Sequence, residues 1–292
     1  MTSGNVEGNP RSDTWPVATI AIAQLFGTSL WFSANSAADD LMRTWHVSAA
    51  DIGWLTSAVQ VGFILGTLTM VLGGLADRYR ASRIFVCCAL AGALFNAGFA
   101  LLSEGLASAL AFRFLVGLSL AGIYPVGMKL IVSWSPERTG QALAQLVAML
   151  TLGTALPHGL REVGAELPWQ TIILASSGLA LLGAVMIRWL GDGPHLPDAR
   201  QRKTSLDPET GRRPMVLDAF RIHRFRAAAL GYFGHMWELY AFWTVVPLLV
   251  SQTVLASRYG ALGVSGMAFT IIGVGALGCV VGGWLSRRIG SA

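Results

Sequence analysis

Eight stretches of roughly 20 apolar residues recur along the chain, each long enough to cross the ~30 Å hydrocarbon core of a bilayer as a helix. They fall at about 15–35, 52–75, 84–102, 106–132, 141–157, 171–190, 227–250 and 265–285, numbered here as spans 1 to 8. Backbone polar groups in lipid must be satisfied within the segment, so each span is predicted to be helical. The fold class expected is an all-α polytopic membrane protein. Composition agrees: 53% of residues are hydrophobic and 13% charged, where soluble domains carry about 25% charged residues. That excludes an ordinary soluble enzyme and a disordered chain. Span 1 is long and follows a leader with one basic residue, Arg11, so it reads as a retained helix rather than a cleaved signal. Cys87, Cys88 and Cys279 all lie in apolar segments; they offer no disulfide framework and no metal-ligand spacing. No cofactor is expected.

Loop charge sets the orientation. Arg11; Arg78, Arg80 and Arg83; Arg138; Arg200, Arg202, Lys203, Arg212, Arg213, Arg221, Arg224 and Arg226; and Arg287 and Arg288 would share one side, fifteen basic residues against Arg43, Arg161 and Arg258 on the other. Such a bias predicts that both termini are cytoplasmic, in a bacterial inner membrane. It accounts for the +5 net charge without nucleic acid and makes anionic lipid the expected partner. Residues 191–226, with Pro194, Pro197, Pro208 and Pro214 among mixed charges, read as a flexible cytoplasmic linker. It separates a six-span unit, 1–190, from a two-span unit, 227–292. A short amphipathic piece, 216–225, is placed on the membrane surface before span 7.

The chain carries an internal repeat. VLGGLADRYRASR, 71–83, closes span 2, and VVGGWLSRRIGS, 280–291, closes span 8; Gly73-Gly74 aligns with Gly282-Gly283, and Arg78 with Arg287. Two parallel halves of a transporter leave such a trace. With Gly74, Asp77, Arg78 and Arg83 in the 2–3 loop, and Arg113 and Gly117 spaced as Arg-x-x-x-Gly in span 4, the sequence resembles the major facilitator superfamily over nearly its whole length. The resemblance implies two six-helix bundles, alternating access to a central cavity lined by spans 1, 4 and 7, and a 2–3 loop that latches the halves in one conformation. Ser286 stands where the first repeat has Asp77, and span 5 lacks the patterns of the family's drug antiporters and nitrate porters, which makes those subfamilies less expected. A twelve-helix member would continue beyond span 8, so a truncated transporter lacking its last C-terminal helices is expected.

Ionisable groups within spans are costly and therefore candidates for function. Glu238 lies midway along span 7, with His235 and Phe242 on the same helical stripe; the pair suits proton coupling or a cationic ligand, against a structural hydrogen bond to a neighbouring helix. Arg113 cannot lose its charge in span 4. By the resemblance it would bind an anion or influence coupling, and snorkelling outward is the alternative. Lys129 and Arg188 are assigned to snorkelling. Gln24, Thr28, Trp31 and Asn35 recur at helical spacing in span 1, as a substrate-facing stripe or an interhelical seam. Tyr124 and Pro125 mark a kink in span 4. Gly62, Gly66, Gly278 and Gly282 have GxxxG spacing and read as close helix packing. The function expected is secondary transport of a small solute, with protons as the candidate coupling ion. The alternatives are a transport-inactive membrane interaction partner or an intramembrane enzyme; the second has neither HExxH nor Gly-x-Ser-x-Gly in its favour. No Gly-x-x-x-x-Gly-Lys segment supports direct ATP drive.

Overall fold

The computed structural model describes residues 14–196, 216–253 and 262–289. Spans 2, 3 and 6 are the helices Ala49–Leu72, Ala81–Leu102 and Trp169–Leu190. Span 2 opens with a capping box, in which the Ser48 hydroxyl accepts from the Asp51 N–H and the Asp51 carboxylate accepts from the Ser48 N–H. It closes at Gly73-Gly74. Gly74 takes φ 59°, a left-handed conformation that a Cβ disfavours, and this turns the chain into the short helix Leu75–Arg78. Span 4 is two helices, Leu106–Leu120 and Tyr124–Trp134. The expected kink is there, with Pro125 in the first turn of the second piece, where its missing N–H has no helical acceptor to serve. Six spans (2, 3, 4, 5, 6 and 8) are long and apolar enough to cross a membrane.

Four expectations change. Span 1 is not one helix: Thr14–Thr28 gives way to turns over 29–34, a 3-10 turn at Asn35–Ala37 and a second helix, Ala38–Trp45. Here the hydroxyls of Thr28, Ser29, Ser33 and Ser36 each bond back to a carbonyl three or four residues earlier, a pattern that competes with the helix ladder and bends it. Span 5 does not stop at Pro157; it runs as Thr139–Val163 with the proline inside, as packed membrane helices tolerate. The 216–225 piece is a 3-10 turn, Val216–Arg221, followed directly by the span 7 helix His223–Gln252. The second copy of the repeat does not turn among the described residues. Span 8 continues helical as Val264–Ile289, and Gly283 lies at a close contact there: a Cβ on it would stand 2.4 Å from the Ala144 Cβ of span 5.

Spans 1 to 6 pack into one bundle, in which 2 lies against 4, 3 against 6, and 1 against both 5 and 6. Glycine sets the closest approach. A Cβ on Gly62 would meet the Phe114 carbonyl at 2.1 Å, and one on Gly117 the Val59 carbonyl at 2.1 Å, so Gly62 and Gly117 let spans 2 and 4 touch backbone to backbone. Gly278 and Gly282 face open space and take no part in packing. Residues 191–196 strap one end of the bundle. Asp192 accepts from the Ser82 N–H at the start of span 3 (2.7 Å), and the Gly193 N–H donates to the Ser133 hydroxyl at the end of span 4 (3.1 Å). The linker residues 197–215 lie outside the described residues. Span 8 lies along span 5 for most of its length, while span 7 meets the bundle through aromatic rings.

Candidate functional site

The break in span 1 frees the carbonyls of Leu30 and Trp31, and Arg113 takes both. Its guanidinium, fully buried, also donates to the Ser33 hydroxyl and to the Asn96 side-chain carbonyl, each at 3.1 Å, and lies 5.8 Å from the Phe99 ring centre. Asn96 completes the network. Its oxygen accepts from the Ser33 hydroxyl (2.8 Å), and its amide donates to the Ile173 carbonyl and the Ser177 hydroxyl of span 6, both at 3.0 Å. Four spans are thus tied at one point by neutral acceptors around a cation. Among the described residues Arg113 has no acidic partner. It neither snorkels nor lines an open cavity; it holds the shape of span 1. Sequence reasoning passed over Asn96, although a lone asparagine in apolar span 3 carried the same signal of burial cost as the residues that were picked.

The shape so held presents Trp31. Its indole is fully buried between Phe63 of span 2 (ring centres 4.8 Å apart) and Tyr240 of span 7, stacked at 5.2 Å with 22° between the planes. Phe32 meets Trp243 edge-on at 5.8 Å, and Trp243 meets Tyr240 at 5.4 Å. Tyr124, buried at the span 4 kink, lies near Tyr232 of span 7. Aromatic residues from spans 1, 2, 4 and 7 therefore converge where the six-span unit meets the rest. Four buried donors within spans 1 and 2 find no acceptor among the described residues: the Trp31 indole N–H, the Gln24 amide, the Gln60 amide and the Thr67 hydroxyl. Buried polar groups are ordinarily paired. Gln24 lies against Gly127 of span 4, where a Cβ would meet its side-chain oxygen at 2.1 Å. Asn35 is already committed, donating to the Thr56 hydroxyl at 2.8 Å.

Span 7 turns Trp243, Val246 and Val250 inward. Glu238 is two residues from Tyr240, about 200° around the helix, and is exposed, as is His235. The expected placement of Glu238 within reach of spans 1 or 4 is therefore not found; it has no hydrogen-bond partner among the described residues. In the 2–3 loop, Asp77, Arg78 and Arg83 are exposed. Lys129 does not snorkel freely: its ammonium donates to the Asp77 carboxylate (3.0 Å) and to the Ala76 carbonyl, so this loop is bound to span 4 of its own bundle.

Helices without strands among the described residues, six of them able to cross a bilayer, around a broken first span and a buried polar tie, define a polytopic helical membrane protein. The model of the Major Facilitator Superfamily matches residues 20–292, and the chain belongs to that family. It is 34% identical over 128 residues to the niacin transporter NiaP of Acinetobacter baylyi, covering 40% of this chain and 28% of that protein. It is 31% identical over 152 residues to the 4-hydroxybenzoate transporter PcaK of Pseudomonas aeruginosa, covering 50% and 33%. It is 27% identical over 191 residues to the 3-(3-hydroxy-phenyl)propionate transporter of Escherichia coli, covering 63% and 47%. The chain thus spans less than half the length of these relatives. The crystal structure of a bacterial homolog of the human lysosomal transporter Spinster, inward-facing and unoccupied, shares the fold with a TM-score of 0.63 at 17% identity, over 97% of this chain and 64% of that one.

Proposed function

We propose that the chain serves secondary active transport of a small aromatic acid by alternating access, in a bacterial inner membrane with both termini cytoplasmic. One observation carries the reading: the stack of Trp31 on Tyr240 across the junction between spans 1 and 7, with the indole N–H left without an acceptor. A planar ring entering between these faces gains offset stacking worth about 0.5–1.5 kcal/mol beyond its buried area. The Trp31 N–H and the Tyr124 and Tyr232 hydroxyls supply neutral donors for its carboxylate. The relatives support the class, since those named above are transporters of niacin, 4-hydroxybenzoate and 3-(3-hydroxy-phenyl)propionate. Arg113 acts by setting the position of Trp31, and Glu238 is the candidate proton carrier. The 2–3 loop, fixed by Lys129, serves as the cytoplasmic latch, and the basic linker meets anionic lipid.

The test uses the 292-residue chain reconstituted in proteoliposomes. Quenching of tryptophan fluorescence should give tighter binding of 4-hydroxybenzoate than of 4-hydroxycyclohexanecarboxylate, by about tenfold, and Trp31→Ala should erase the difference. Equal binding of the two acids, or binding of neither, removes the aromatic-acid reading. Uptake of labelled 4-hydroxybenzoate down an imposed proton gradient then tests transport itself. Binding without uptake would leave a ligand-binding partner in place of an autonomous transporter.

A further inference from the structure

Span 5 ends in two adjacent charged residues that reach in opposite directions. Arg161 stays within its own bundle, pairing with Asp40 of the second span 1 helix at 2.6 Å and donating to the Leu167 carbonyl at 2.8 Å. Glu162 crosses to span 8. Its Oε1 accepts from the Gly263 N–H at 2.9 Å and its Oε2 from the Gly266 N–H at 2.8 Å. The span 8 helix starts at Val264, and the first helical bond runs from the Met267 N–H to the Gly263 carbonyl. The carboxylate therefore satisfies the N–H of the capping residue and that of the third helical residue. These are the two donors that a capping box pairs from within one helix; here both are served by a different helix. The negative charge also sits where the helix macrodipole is positive. Glycine at both positions makes the seat possible, since a Cβ on Gly263 would stand 2.9 Å from Glu162 Oε2 and one on Gly266 2.9 Å from its Cδ.

We infer that Glu162 is a releasable clasp that holds the outer ends of spans 5 and 8 together and so keeps the mouth between the two units closed on that side. The term outer, and the gating role, rest on the transport reading given above. The geometry makes the clasp strong in one state and fully reversible. It is made only of hydrogen bonds to main-chain N–H groups at a partly exposed helix end, so water replaces each bond when the ends part, and no buried charge is stranded. Arg161, tied to Asp40, keeps the end of span 5 rigid within its own unit, so separation is concentrated at the Glu162 contact. Further along the same seam, toward the linker end, Gly283 lies against Ala144. The clasp acts on the opposite end and leaves that contact in place.

Spin labels on cysteines placed at Val163 and Leu262, both exposed, with the three native cysteines replaced by serine, read the separation directly in lipid nanodiscs without any substrate. The starting chain should show a dominant short distance. Glu162→Ala should raise the population at longer distance about fivefold, the equivalent of losing one capping interaction. Glu162→Gln, which keeps one acceptor, should fall between. Gly266→Val leaves the glutamate in place but fills its seat and should act like Glu162→Ala. A distance distribution unchanged in Glu162→Ala and in Gly266→Val overturns the clasp. A distribution that shifts as expected in a chain that binds or moves no aromatic acid leaves the clasp standing and removes only the transport reading.

Discussion

Asn96 is the residue whose loss tells most about the buried tie. Asn96→Leu keeps the volume near constant but takes one of its acceptors from Arg113 and from the Ser33 hydroxyl, and the donor that the Ser177 hydroxyl accepts, at a cost of about 1–3 kcal/mol. Thermal unfolding in detergent should show the lower midpoint, and Asn96→Asp, which supplies a counter-charge to the guanidinium, should recover part of it. Glu238 is the contrasting case. An ionised carboxylate within a span costs about 2.5–3.5 kcal/mol on insertion scales, and no hydrogen bond among the described residues offsets it, so a purely structural role lacks support. Glu238→Gln should remove the pH dependence of aromatic-acid uptake while expression stays near that of the parent; uptake with an unchanged pH profile would assign the proton step elsewhere. Trp31 and Tyr124 were legible as candidates from helical spacing and from the neighbouring proline. Asn96 carried a burial-cost signal of the same kind, but its partners and the role of Glu162 did not show, because a side chain's partners on other helices leave no periodic mark in the sequence. Arg113 was singled out correctly as costly, yet its acceptors are main-chain carbonyls that only the break in span 1 exposes.

Among elements, the contact of spans 2 and 4 is the least tolerant of added volume. At Gly117 a side chain would drive into the Val59 carbonyl at 2.1 Å, and backbone cannot move aside as a flexible side chain can. Gly117→Val should therefore destabilise by about 3 kcal/mol or more, the upper range for overpacking, seen as loss of monodisperse protein in size-exclusion chromatography. Gly278→Val, in a GxxxG pair but with open space around it, should behave as the parent. Gly62 and Gly278 show where sequence stops: both sit in the same GxxxG pattern, yet a Cβ on Gly62 would meet the Phe114 carbonyl at 2.1 Å and one on Gly278 would meet open space. Span limits were readable to within a few residues wherever a polar loop follows an apolar run, as at Leu102 and Leu190. They failed at Pro157, since a proline in a packed membrane helix need not end it, and in span 1, where no glycine or proline pair announces the break. Hydroxyl side chains and a tertiary arginine make it instead.

For the molecule as a whole, the fifteen-to-three bias of basic residues predicts which way it sits. A cysteine at Ser205 in the linker should resist an impermeant thiol reagent added outside intact cells, while one at Ser251, at the far end of span 7, should react; the reverse pattern would invert the topology. The membrane-spanning class was the most legible feature, because total apolar length is a sum over many residues and survives errors in any one of them. The buried guanidinium also acts at this scale. Among the described residues no carboxylate neutralises Arg113, so the interior of the six-span unit carries a standing positive potential. A unit charge roughly 8 Å away, at an effective dielectric constant of about 20, changes the energy of a visiting ion by about 2 kcal/mol. On the aromatic-acid reading, that field favours an anion over a cation at the Trp31 wall without touching either, and so biases the sign of the solute ahead of any contact.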